Sequence, residues 1–239
     1  GRSYLGIGKG AFLDFVGLKP TQPIKAVRET IEITKGLLSG TLNGYCGDVF
    51  NISDATALRW EPINTSVPIM VGTWGNQMAE LAGMLADEVK VSPLWNAQYA
   101  SKLLGAINRG MLRAERKVNN VDLCLGVLTS VSHDEVEARE IAKRSLAIYL
   151  PHLSPMTDFV GVSMEEIKVV SDYSSIGCYS EAAKWISDQT LESFALYGTP
   201  EQLCRKIQKM IDTVSVDRIE FGTPHGPDAM NAINMLGEK

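Results

Sequence analysis

Positive charge, histidine, cysteine and long apolar runs are all scarce in this chain of 239 residues. The 23 Lys and Arg are outnumbered by 28 Asp and Glu, a net charge of -5. No basic face is expected to draw in a phosphate backbone or an anionic membrane, which sets aside nucleic acid and membrane surface as partners. The longest apolar runs, such as Val67 to Val71 and Phe194 to Leu196, fall far short of the roughly 18 residues that cross a bilayer. No basic stretch followed by an apolar one marks export, so a cytoplasmic location is expected. Cys46, Cys124, Cys178 and Cys204 are widely spaced, without a Cys-x-x-Cys pair or a histidine cluster beside them. That pattern argues against metal and dithiol chemistry and reads as small buried hydrophobes. With three histidines and no nucleophile elbow, hydrolysis through a serine triad lacks its parts.

What is present is a core. Hydrophobic residues make up 45% of the chain, enough to offset the ordering entropy of one sizeable fold. Short β-like runs alternate with longer amphipathic stretches, the pattern of a parallel sheet wrapped by helices. The expected core strands are Tyr4 to Ile7, Val67 to Val71, Glu88 to Val91, Leu123 to Val131 and Arg218 to Phe221, five in all. Asp48 to Ile52 and Ala57 to Trp60 read as a two-stranded excursion between the first two. Helical spacing recurs after Pro23 up to Gly40, from Asn76 as a cap through Leu85, around Leu103 to Met111, and after Ser132 with Glu135 as a capping box. Thr199, Pro200 and Gln202 form a second box, opening a helix whose Leu203, Ile207, Met210 and Ile211 face inward. Prolines 151 and 155 break the rhythm, so about 151–179 is expected to be an irregular, partly helical insertion in a single domain spanning 1–239.

In parallel α/β folds ligands gather at the carboxyl ends of strands, so the turns after them carry the chemistry. The first is Gly6-Ile7-Gly8-Lys9-Gly10. Its glycines allow close backbone approach and Lys9 offers a cation, although the motif alone is weak and a tight turn with a solvated lysine also explains it. The second is Gly72-Thr73-Trp74-Gly75-Asn76 before a helix. Free amides, the helix dipole, the Thr73 hydroxyl and the Asn76 amide could hold a phosphate and Trp74 could stack on a ring, or the segment is simple capping. The third is Thr223-Pro224-His225-Gly226-Pro227-Asp228, where His225 could meet a substrate or belong to a rigid turn. His133 and His152 read as structural.

These motifs, in order, resemble a known family. Gly1 to Gly10, Pro23 to Leu38, Pro68 to Gly75 leading into Leu81 to Asp87, Gly198 to Glu201, and Phe221 to Asp228 with Ile233 to Gly237 are similar to the luciferase-like flavin- and deazaflavin-dependent oxidoreductases. Within that family they look most like the coenzyme F420-dependent methylenetetrahydromethanopterin reductases. The resemblance implies an α/β fold of the (β/α)8 TIM-barrel type with an insertion, here a partial barrel starting at the fourth strand. It implies that Gly8, Lys9, Gly10, Gly72, Thr73, Trp74, Gly75 and Asn76 bind coenzyme F420, its phosphate lying between the two turns, with FMN the alternative. It implies a small-molecule substrate, a pterin or another carbon acceptor, met by His225 and Trp95 with Trp60 as a further candidate, and a homo-oligomer. The family's general acid falls on strands before the first one seen here, so no catalytic residue is assigned. Where reductase relatives carry an acidic residue after the first turn this chain has Ala11, with Asp14 the nearest carboxylate. Three other readings stay open: an FMN-dependent monooxygenase, an F420-dependent alcohol or sugar-phosphate dehydrogenase, and a non-catalytic flavin-binding or dimerisation subunit.

Overall fold

A computed structural model describes residues 3–117 and 120–237, apart from the side chains of Asp14 and Phe15. Gly1 and Arg2, which open the first resembling motif, lie outside the described residues, as does the carboxylate of Asp14. The chain forms two compact units, one of Gly1–Lys90 with Leu103–Asp122 and one of Val91–Lys102 with Leu123–Lys239.

In the first unit, strands β1 (Leu5–Gly8), β4 (Ile69–Gly72) and β5 (Glu88–Val91) lie side by side and parallel. The buried side chains of Ile69, Val71 and Val89 face its core. An aspartate sets the register: Asp87 N–H donates to the Ile69 carbonyl, and the Asp87 carboxylate accepts from Ile69 N–H, both at 2.8 Å. Helix α1 (Pro23–Ser39) starts on a proline that needs no intrahelical partner and stops at Gly40, whose φ of 68° is open to glycine at little cost. The hairpin of β2 (Tyr45–Cys46) and β3 (Asn51–Ile52) is tied to α1 by one buried carboxylate. Glu29 accepts from the backbone N–H groups of Asp48, Val49 and Phe50 at 2.7–3.2 Å. Helix α2 (Asn76–Leu85) crosses the later turns of α3 (Ala97–Arg113) at Gly83 and Gly110, where a Cβ would collide with the carbonyls of Ile107 and Glu80. The Arg116 guanidinium then donates to the carbonyls of Gly83 and Ala86, closing the end of α2.

In the second unit, β6 (Asp122–Val131) is buried from Leu123 onward and pairs in parallel with both β7 (Ala195–Gly198) and β8 (Arg218–His225). The aspartate device recurs, with Asp217 accepting from Leu123 N–H at 2.8 Å and donating to its carbonyl. Helix α4 (Glu135–Tyr149) is followed by α5 (Met156–Val160), α6 (Met164–Ser175), α7 (Tyr179–Ala183) and α8 (Asp188–Phe194), and it packs on β7 and on α6, α7 and α8. After β7 comes α9 (Pro200–Thr213), and after β8 comes α10 (Ala229–Gly237).

All five expected core strands are present, each within a few residues of its expected bounds. Several local readings are corrected. The excursion pairs 45–46 with 51–52; residues 57–60 form no strand, because the hairpin closes around the Glu29 carboxylate instead. The stretch 151–179 is mostly helical rather than irregular, its prolines standing at helix starts where they are tolerated. Strand β7 was not expected. Gly75, not Asn76, precedes α2. Asp134 caps α4 by accepting from Val136 N–H, while the Ser132 hydroxyl donates to Glu137. Ile211 is exposed, since α9 buries Leu203 and Met210 and turns Ile211 away. Of the cysteines only Cys124, inside β6, is buried. Among the described residues, no helix is long and apolar enough to cross a membrane.

Candidate functional site

The candidate site is assembled by one register. Gly8 ends β1 and Gly72 ends β4, and the two are direct partners across the parallel pair. The next residues, Lys9 and Thr73, therefore leave adjacent strand tips on the same edge of the sheet. Lys90 of β5 is the partner of Gly72 on its other side, and its carbonyl accepts the Thr73 N–H at 3.0 Å. Gly6-Ile7-Gly8-Lys9-Gly10 and Gly72-Thr73-Trp74-Gly75-Asn76 are thus brought together within the first unit.

Local chemistry favours an anion there. Lys9 is exposed. The Thr73 hydroxyl accepts from Gly75 N–H at 3.0 Å, which leaves its proton free to be donated elsewhere apart from a long 3.5 Å approach to the Gly75 carbonyl. Helix α2 begins at Asn76 without any side-chain cap, so its first-turn amides lack intrahelical acceptors and carry the positive end of the dipole. Around Gly75 a Cβ would meet nothing within 4 Å. Gly10 holds a φ of 89°, and a side chain there would strike Leu13. Asn76 adds a second sign: its Oδ1 is buried and has no hydrogen-bond partner. Rotating that amide about its last bond would present its N–H groups in place of the oxygen.

Two further predicted residues lie in the second unit. Trp95, 8% exposed, lines a pocket of about 340 Å³ with Asn96, Glu192, Lys206, Lys209 and Met210. Lys206 donates to the Tyr197 carbonyl at 2.8 Å and stands 4.1 Å from the Tyr197 ring centre; burial pushes its pKa down. His225 ends β8 in the left-handed region, φ 72°, with its Nδ1 buried and unpartnered. Trp60 is 61% exposed and borders a different pocket, of about 310 Å³, beside Leu37, Leu42 and Leu58. His133 is exposed at the entry to α4.

Sequence reasoning passed over two polar residues. Lys90 alternates with the buried Val89 and Val91 in β5, and Ser130 sits in a strand that is buried from Leu123 on; a lysine between buried valines and a hydroxyl in a buried strand are the signals that could have flagged them.

The chain belongs to the luciferase-like monooxygenase family, whose pattern it matches over residues 1–217, and is thereby a member of a family of oxidoreductases. Along its whole length it is 28% identical to the 5,10-methylenetetrahydromethanopterin reductase of Archaeoglobus fulgidus, of which it spans 73%. It is 32% identical to the F420-dependent glucose-6-phosphate dehydrogenase of Microbacterium testaceum, again over the whole chain and 68% of that protein. The solved structure of coenzyme F420-dependent tetrahydromethanopterin reductase from Methanopyrus kandleri matches all of the chain and 73% of its own, with a TM-score of 0.88 at 24% identity. An F420-dependent secondary alcohol dehydrogenase, solved with an F420-acetone adduct, matches with a TM-score of 0.77 at 20% identity, over 100% of this chain and 68% of its own. The expected α/β fold of the luciferase-like barrel is the fold found.

Proposed function

We propose that this chain acts in a coenzyme F420-dependent oxidoreductase, passing a hydride between the reduced deazaflavin and a carbon centre, the methylene carbon of a tetrahydropterin carrier. The observation that carries this is the pairing of Gly8 with Gly72, which puts the next residues, Lys9 and Thr73, on neighbouring strand tips, with the uncapped start of α2 just beyond Thr73. A relative and a solved structure named as F420-dependent enzymes support the choice of coenzyme. The unpartnered Asn76 amide and the space over Gly75 fit a phosphate group.

Lys9 would neutralise that phosphate through a charge-assisted hydrogen bond. The first-turn amides of α2 and the Thr73 hydroxyl would add donors fixed before binding, and Gly8, Gly10 and Gly72 would let backbone approach closely. When bound, the deazaflavin supplies the hydride; the chain's part is to orient it and keep water away. For the substrate we propose Trp95 and His225. Adding methylene-tetrahydromethanopterin to the chain with reduced F420, and following the deazaflavin absorbance, tests this reading. Oxidation of F420 at a rate proportional to protein supports it. Binding of FMN in place of F420, with oxygen-dependent turnover, overturns it in favour of a monooxygenase.

A further inference from the structure

Ser130 of β6 and His225 of β8 are cross-strand partners, and each buries a polar side-chain atom with no hydrogen-bond partner, Ser130 Oγ and His225 Nδ1. Unpaired buried polar atoms are destabilising and uncommon, so two on one rung call for a cause. The backbone around them is equally unusual. His225 holds a positive φ of 72° that non-glycine residues avoid, and the register of the pair shifts between Leu128 and Ser130. Gly226 has no room for a side chain, since a Cβ would collide with the Val131 carbonyl. Strain of this kind collects where a ligand is held, and the rung lies at the carboxyl ends of parallel strands, where ligands gather.

The chemistry of the pair defines what it would hold. A serine hydroxyl both donates and accepts, and a neutral imidazole Nδ1 does one or the other according to its tautomer. Neither Thr129 to Val131 nor Gly222 to Pro227 contains a lysine, arginine, aspartate or glutamate. The rung is built for a neutral group presenting a donor and an acceptor side by side, unlike the lysine-bearing turn of the first unit. We infer that Ser130 and His225 bind the lactam edge, the adjacent N–H and C=O, of a fused heterocyclic ligand. The choice of a fused ring rests on the proposed function, in which both the redox carrier and the carbon carrier contain one.

The test uses the full chain labelled with 15N-histidine and two phosphate-free probes, 5-deazariboflavin for the carrier ring and 6-methylpterin for the substrate ring. The His225 Nδ1 resonance, identified by its loss in His225→Asn, should move on adding at least one probe, and which one distinguishes the two sources. Ser130→Ala should weaken that probe about tenfold, the effect of one lost hydrogen bond. It should leave the apo Tm unchanged or higher, because it deletes a buried hydroxyl that has no partner. A resonance that both probes leave in place up to their solubility limit overturns the inference. So does a Ser130→Ala variant with unchanged probe affinity, whatever its Tm. Coenzyme F420 titrated into the same samples separates the two readings: binding that still depends on Lys9 leaves the proposed function standing while this one falls.

Discussion

Gly8 and Gly72 face each other at the last rung of two parallel strands, and Gly8 is the tighter of the two, since a Cβ on Gly72 would meet only the Ile7 carbonyl at 4.0 Å. A Cβ on Gly8 would press on the Gly72 carbonyl at 3.3 Å. Parallel strands in register release their chains on the same edge, so residues that lie far apart in sequence, Lys9 and Thr73, become neighbours without any contact of their own. A short register thus gathers the residues proposed to hold an anionic group, and their supports lie deeper in the first unit. The Asp87 carboxylate fixes where β4 begins, Thr73 N–H is tied to β5, and α2 is held at its far end by Arg116.

Glycines at the α2–α3 crossing and away from it should respond in opposite directions. Gly83→Ala and Gly110→Ala would each drive a methyl into a backbone carbonyl. They should cost about 1–3 kcal/mol or more, overriding the gain of up to about 1 kcal/mol that alanine normally brings to a helix interior. Gly105 of α3, where a Cβ would meet only the tip of Arg109 at 3.8 Å, is the control: Gly105→Ala should stabilise. Urea denaturation midpoints of the variants decide it.

The Glu29 carboxylate replaces the bonding that the turn between β2 and β3 cannot supply for itself. Glu29→Gln sets an amide N–H against backbone donors at Asp48 to Phe50 and should destabilise by about 1.5–3 kcal/mol, the range for hydrogen bonds to a charged group. Amide exchange at those residues should rise in step. Unchanged exchange would mean that the turn stands without Glu29.

Tyr45 donates its phenol proton to Glu32. That hydrogen bond first, then burial and the repulsion of the nearby carboxylates, push its pKa up to about 12 from 10.0. Because the folded state keeps the proton more tightly, the contribution to stability is complete below pH 10 and is lost as pH rises towards 12. Burial also raises Tyr99 and Tyr197, so ultraviolet titration of phenolate should show a late-titrating group of tyrosines from which Tyr45→Phe removes one. The Phe variant should also lose less stability across that window.

Thr199 and Gln202 form a reciprocal cap on α9, the threonine hydroxyl accepting from Gln202 N–H and the glutamine oxygen from Thr199 N–H. Thr199→Ala should cost about 1 kcal/mol, and Thr199→Ser close to nothing. Thermal melts of the variants check the difference.

That cap was legible in the sequence because a capping box is a local device with a fixed spacing. The core strands were legible for a similar reason, since Val67 to Val71 and Leu123 to Val131 are too apolar to sit anywhere but between layers. Strand β7 was missed because Ala195 to Gly198 is only four residues long and runs straight on from α8. The helical content after Pro151 was underestimated because prolines read as breakers whether they end a helix or begin one. The hairpin was misplaced because its register depends on Glu29, some 20 positions away in sequence. In the candidate site both turns could be read individually, but not the rung joining them. The contribution of Lys90 and the orphaned Ser130 hydroxyl depended on pairings that no local pattern encodes.

The most direct test of the central claim is a binding cycle that pairs Lys9 with the phosphate of the coenzyme. Dissociation constants are measured by deazaflavin fluorescence for the native chain and Lys9→Ala, each with coenzyme F420 and with its phosphate-free deazaflavin core. The account predicts that Lys9→Ala weakens F420 by about 1–3 kcal/mol and leaves the core compound unaffected. Equal losses for both compounds, or none for either, would contradict it.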